Sequence, residues 1–188
     1  MNAPQWLKLD HITQRRNLAT GDGGIVLCGN TPGTPVTALA DGKIIGAGTF
    51  FHPDGGPGYG VVAVQCLIPD LGLSDLYYMH IDLEPGIKAC KNGRCYGQTV
   101  KAGQIIGTIN HDLGCMEVGI NPPFYGLFGP FPHPGPWVDP EYFLRRLTGQ
   151  APRPTTPYTP QDISTATCNT RADRYSACSY RRKYALQS

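Results

Sequence analysis

A mostly β fold is predicted for this 188-residue chain, and three observations predict it. The chain holds 24 Gly and 18 Pro but only 16% charged residues, so the charge-laced stretches of an α-rich protein are scarce. From about residue 25 to 120, short β-type runs alternate with Gly/Pro punctuation. Nothing between those runs is long enough for a crossover helix, which favours an antiparallel sandwich or barrel over a βαβ arrangement.

Taken in order, residues 1–22 show no clean period of 2 or 3.6 and read as an irregular N-terminal arm. The β-type runs are GIVLC (24–28), TPVTALA (34–40), GKIIGAGTF (42–50), GVVAVQCLI (60–68), LYYMHIDL (76–83), GQIIGTI (103–109) and CMEVGI (115–120). Asp41-Gly42 stands between two of them, a strong short cue for a hairpin. Gly103, after Lys101-Ala102, is available for positive φ before the next run. Residues 52–60, HPDGGPGYG, read as a loop. The segment 121–140, with seven prolines and several aromatics, can be neither a regular strand nor a helix. It should pack as a loop over the sheet or present an apolar surface to a partner. DPEYFLRRL (139–147) predicts the one short helix, with Asp139 as N-cap and Pro140 in the first helical position. A Pro/Thr linker and an extended tail occupy 148–188.

Charge is unevenly spread. Residues 148–188 hold six Lys/Arg and two Asp, a net of +4, so the first 147 residues sum to −2 within the overall +2. The tail interleaves Tyr175, Tyr180 and Tyr184 with Arg174, Arg181, Arg182 and Lys183. Such a pattern can hold single-stranded nucleic acid, but docking on a protein neighbour is the expectation here. No run of 18 apolar residues exists, so no helical membrane span is expected, and the first residues do not follow the order of a secretory signal.

Seven cysteines are many for a reducing cytosol and point to an oxidising setting. Cys90 and Cys95 enclose KNGR, as a disulfide closing a hairpin tip would, and Cys168 and Cys178 bracket a polar stretch of the tail. Cys28, Cys66 and Cys115 lie in apolar runs and read as small buried hydrophobes or as partners of one another. The odd count leaves at least one thiol free or joined to another chain.

Six segments, in order, resemble the lysostaphin/LytM family of zinc endopeptidases: GTPVTALADGKIIGAG (33–48), GYGVVAV (58–64), LYYMHI (76–81), VKAGQIIGTI (100–109), MEVGI (116–120) and VDPEYFL (138–144). The resemblance covers roughly 23–147 and implies a LytM-type β domain there. In that family a His and an Asp before the GTPV strand, with the second His of a later H-x-H, hold zinc, and a further His assists catalysis. Carried over by spacing, the first His falls on Gly23, the Asp on Leu27 and the H-x-H on Leu113 and Cys115. Only His80 matches a family position. A catalytic zinc needs about three converging protein donors, which Gly23, Leu27 and Cys115 do not supply. No cofactor and no catalytic residue is therefore expected, although zinc is the family's metal. A Cys28–Cys115 disulfide in the old metal position is one option, and a rearranged zinc site of Asp22, His80, His111 and Cys115 is another.

The functional expectation is a non-catalytic structural or adaptor protein on a degenerate peptidase fold, a subunit of an extracellular or virion-type assembly. Its partners would be protein neighbours, another copy among them, met through both terminal arms and the 121–140 loop. Two alternatives stand beside it: a peptidoglycan endopeptidase with a rearranged zinc site, and a cell-wall or glycan-binding module using His80, His52 and Tyr59.

Overall fold

A computed structural model describes residues 3–15, 24–50, 58–91, 95, 97–112, 114–120 and 140–151. Over these residues run β1 (Ile12–Arg15), β2 (Gly24–Cys28), β3 (Pro35–Thr37), β4 (Gly42–Phe50), β5 (Tyr59–Ile68), β6 (Gly72–Leu83), β7 (Thr99–Val100), β8 (Ile105–Ile109), β9 (Cys115–Ile120) and α1 (Pro140–Leu147). The pairings are antiparallel, in the order β1-β2-β9-β6-β5-β4-β7, with β8 branching from β6 and carrying β3. The mostly β class and the single short helix agree with the sequence-based expectation.

Alternation along the central strands sorts side chains onto two faces. One face carries Ile25 and Leu27 of β2, Val62 and Val64 of β5, Leu76 and Tyr78 of β6, and Met116, Val118 and Ile120 of β9, which join in a single core. Each such side chain stabilises the fold by roughly 1.5–3 kcal/mol through burial alone. The other face holds Val26, Val61, Ala63, Tyr77 and Glu117, and these are buried too. Burial on both faces is why GVVAVQCLI reads as a continuous apolar run rather than an alternating one.

The N-terminal segment departs from the irregular arm expected of residues 1–22. Trp6, Leu7 and Leu9 are buried in the core, and the Trp6 ring meets Tyr78 edge-on at 5.9 Å. The indole N–H donates to Thr37 Oγ1 at 3.2 Å. Arg145 of α1 fixes the same segment by donating to the Leu9 carbonyl and to Asp10, while Glu141 one turn earlier accepts from its Nε at 2.8 Å. Residues 3–15 are thus committed to this chain's own core and sheet. The short aromatic and aliphatic positions that do this carry no period, so pattern reading passed over them.

Asp41-Gly42 does not make the expected hairpin. β3 pairs with β8 and β4 with β5 and β7, so the two flanking runs never meet edge to edge. The Asp41 carboxylate instead accepts from Lys101 Nζ at 2.7 Å and from the Ala102 amide at 2.8 Å, pinning the turn before β8. There Gly103 takes φ +84, as its place in the turn requires. TPVTALA contributes only three strand residues, because the Ala38 backbone turns to bond Gln104 and Gly103 and the Leu39 amide donates to the Tyr78 hydroxyl. β6 begins four residues before the expected run and makes a long hairpin with β5. Among the described residues no helix is long and apolar enough to cross a membrane.

Candidate functional site

His80 sits where the sheet forks. β6 pairs with β9 through Leu76–Met79 and with β8 through Ile81–Leu83. On the opposite edge the register with β5 slips, Gly60 facing Ile81 and Val61 facing Met79, so His80 is the extra residue of a bulge. Its φ is +62, a left-handed value uncommon among non-glycine residues, though His takes it more readily than most, as Asn and Asp do. The Asn110 amide closes the bulge by donating to the His80 carbonyl at 3.2 Å. The bulge turns a half-buried imidazole edge-on to the Tyr59 ring, with centroids 4.6 Å apart and planes at 90°. Bulges of this kind re-aim a side chain, and a conformation costing about 1–3 kcal/mol persists only where its surroundings hold it in place.

Beside this pair, Asp82 gathers the turn that follows β8. It accepts from Asn110 Nδ2 at 2.6 Å, from the His111 amide at 3.3 Å, and faces His111 Nδ1 at 3.1 Å. Buried Asn110 also donates to the Gly58 carbonyl and accepts the Asp112 amide, tying the head of β5 to the same turn. The exposed His111 imidazole is held above its ordinary pKa, first by the hydrogen bond to Asp82 and then by the Asp112 charge. Sequence reading named His111 as a member of a rearranged zinc site and missed that Asp82 and Asn110 organise this turn. The usable signal was Asp82, two residues past His80 on the same strand.

Cys28 and Cys115 face each other across β2 and β9, with Cα atoms 4.1 Å apart and the sulfurs bonded. Thr13 of β1 donates its hydroxyl to Cys28 Sγ at 3.2 Å. The disulfide therefore stands at the position where the resemblance places a zinc-binding His, and both sulfurs are consumed in it. Leu27, on the spacing of the family's Asp, points the other way. It is fully buried in the core opposite Met116. Among the described residues no three His, Cys, Asp or Glu side chains are placed to hold a metal ion. Cys90 and Cys95 are also bonded, and Cys66 is a buried thiol. Two disulfides are compatible with an oxidising environment. Gly23, Asp22, His52, Leu113, the 121–139 segment and the Cys168–Cys178 pair lie outside the described residues.

One further polar group is buried on the second face of the sheet, where the Tyr77 hydroxyl donates to Glu117 Oε1 at 2.8 Å. Gly24 and Gly119 make room for it, since a Cβ at either would run into the Tyr77 side chain. This pair lies two residues along β9 from the disulfide and was not singled out from sequence. No protein-family model matches the chain, and no curated protein matches it.

Proposed function

We propose that this chain is a non-catalytic structural or adaptor protein, built on a degenerate lysostaphin-type β domain and working as a subunit of an extracellular or virion-type assembly. The observation that carries the reading is the Cys28–Cys115 disulfide. A thiolate can ligate zinc only with its lone pairs available and its charge uncompensated, and a disulfide sulfur offers neither. With Leu27 turned into the core, this end of β2 and β9 is covalently braced rather than open to an ion and its water. Without such an ion nothing there brings a water pKa toward neutrality, and an imidazole set edge-on to Tyr59 is a weak substitute.

The assembly part rests on the sequence: two cysteines and a basic, Tyr-rich tail beyond residue 148, and the Pro/aromatic segment 121–140. Extended segments gain order and buried area by docking on neighbours. Because residues 3–15 are spent within the chain, docking falls to the tail and the 121–140 segment. Velocity sedimentation of the native, oxidised protein tests this. Multimers, or co-sedimentation with a particle that is lost when 152–188 are deleted, support the reading. A monomer under all conditions, recovered from its source free of any particle, refutes it.

A second reading has its own support. The bulge that holds His80 against Tyr59 is a costly departure from a plain interior strand, and it suits a glycan- or wall-binding role for that pair. Titrating soluble wall fragments while following the Tyr59 and His80 ring resonances separates the two readings, because only the binding module gives saturable shifts there.

A further inference from the structure

His111 lies between two carboxylates, one for each ring nitrogen. Nδ1 faces Asp82 Oδ2 at 3.1 Å and Nε2 faces Asp112 Oδ2 at 3.4 Å. Only the imidazolium carries a hydrogen on both nitrogens, so only that form can donate to both carboxylates. A neutral ring keeps one of the two bonds and turns a lone pair toward the other carboxylate. Among the described residues, the charged groups that face this ring are Asp82 from β6 and Asp112 from its own turn. The head of β5 meets the turn through the Gly58 carbonyl, which carries no charge.

What stands behind Asp82 makes this more than a surface ion pair. Its other oxygen, Oδ1, accepts from Asn110 Nδ2 at 2.6 Å. Asn110 is fully buried. Its amide closes the His80 bulge at 3.2 Å, its Nδ2 also reaches the Gly58 carbonyl at 3.3 Å, and its Oδ1 accepts the Asp112 amide at 3.1 Å. One buried side chain thus joins both residues that flank the His111 ring to the two strands that carry His80 and Tyr59.

We propose that His111 is a proton-operated clasp for the His80–Tyr59 pair: the imidazolium draws Asp82 and Asp112 together around Asn110, and loss of the proton slackens the bulge. The sign follows from the neighbours. The Asp82 hydrogen bond first, and then the Asp112 charge, favour the protonated ring, so its midpoint lies above that of an ordinary histidine. The clasp is therefore closed below about pH 6.5 and opens as pH rises through the higher folded midpoint. The ring is 71% exposed, so each contact is weak. The change at the bulge is accordingly about 2- to 5-fold and leaves the fold intact. Such a device tunes the His80–Tyr59 geometry whether or not that pair binds a glycan.

The test is NMR and hydrogen exchange on the full-length, oxidised protein, in chelator, across the histidine range of about pH 5 to 8. The protection factor of the Asn110 amide, corrected for base catalysis, should fall about 2- to 5-fold as the His111 ring loses its proton. The Tyr59 ring signals should move with the same midpoint. His111→Gln should remove that step, with thermal unfolding little changed because the side chain is exposed. Asp112→Asn should keep the step and shift it to lower pH, since one flanking charge is gone. The ring signals of His80, followed separately, give its own titration.

A His111 ring that titrates while Asn110 protection and the Tyr59 signals stay flat would reduce the contact to a solvated ion pair and overturn the clasp. A step that survives His111→Gln, or one that Asp112→Asn leaves unmoved, would assign the pH dependence to another group and overturn it equally. Titration with wall fragments tests the binding role of the pair on its own, and its failure would leave the clasp standing.

Discussion

Removing the two disulfides one at a time should give very different losses, and the difference follows from loop length. Cys28 and Cys115 are 87 residues apart, whereas Cys90 and Cys95 are 5 apart. Closing a loop removes unfolded-chain entropy that grows with the logarithm of its length, which gives about 4.6 kcal/mol for the first bond and about 2.2 kcal/mol for the second. For a chain of this size the larger value corresponds to a fall in Tm of roughly 9–18 °C. Urea unfolding without reductant, comparing Cys28→Ala/Cys115→Ala with Cys90→Ala/Cys95→Ala, measures both. The long bond is also the one that ties β2, and through it β1, to β9, so its loss should increase exchange at the β1 amides before global unfolding. A loss below about 1 kcal/mol, or one no larger than that of the short loop, would refute the reasoning. Either result would mean that the β2–β9 brace contributes little and that the two sulfurs are held together for another purpose.

Three further outcomes are expected. Trp6→Ala should destabilise the fold by about 3–5 kcal/mol in the same urea assay, because it empties a fully buried site and strands Thr37; a change within experimental error would return residues 3–10 to the status of a loose arm. The His111 imidazole, raised above its ordinary pKa by Asp82 and then Asp112, binds its proton more tightly folded than unfolded. Its contribution is therefore fully present below about pH 6.5 and lost as pH rises through the higher folded value. An NMR titration should find the elevated midpoint in the native protein and a lower one in Asp82→Asn. Burial, with the Asp75 carboxylate adding to it, pushes the Cys66 thiol up to about 12, so a thiol reagent at neutral pH should label Cys66 only after denaturant is added; labelling in the native state would contradict its burial.

How much of this was legible in the sequence depends on whether the deciding contact is local. The runs that became β2, β4 and β9 were read with their ends in place, because apolar content bounded by glycine, proline and polar turns is a local property. The helix start was legible for the same reason, since Pro140 in the first turn needs no amide donor. The Asp41-Gly42 hairpin was misread because its cue assumes that the flanking runs pair. Here β3 is taken by β8, where Gly107 lets the strand lie close against the Asp82 carbonyl. β1 is a four-residue edge strand whose neighbours are ordered by Trp6 and by Arg145, some 135 residues away in sequence. No local period carries that information.

The candidate site divides in the same way. His80 could be singled out through the resemblance, and a Cys28–Cys115 bond was weighed there beside a rearranged zinc site and two separate buried thiols. The bulge that re-aims His80, the role of Asp82 as the hub of the following turn, and the buried Tyr77–Glu117 pair arise only when β6 meets β8 and β9 together. Residue type alone did not mark them.

Elemental analysis of the native protein, with the thiol count taken on the same sample, bears most directly on the proposal that a covalent brace stands where the resemblance to the lysostaphin/LytM family would place a metal. The account predicts less than stoichiometric zinc, a bonded Cys28–Cys115 pair by peptide mapping, and no turnover of a wall peptide. One zinc per chain, together with a reduced Cys115 and hydrolysis of that peptide, would contradict it.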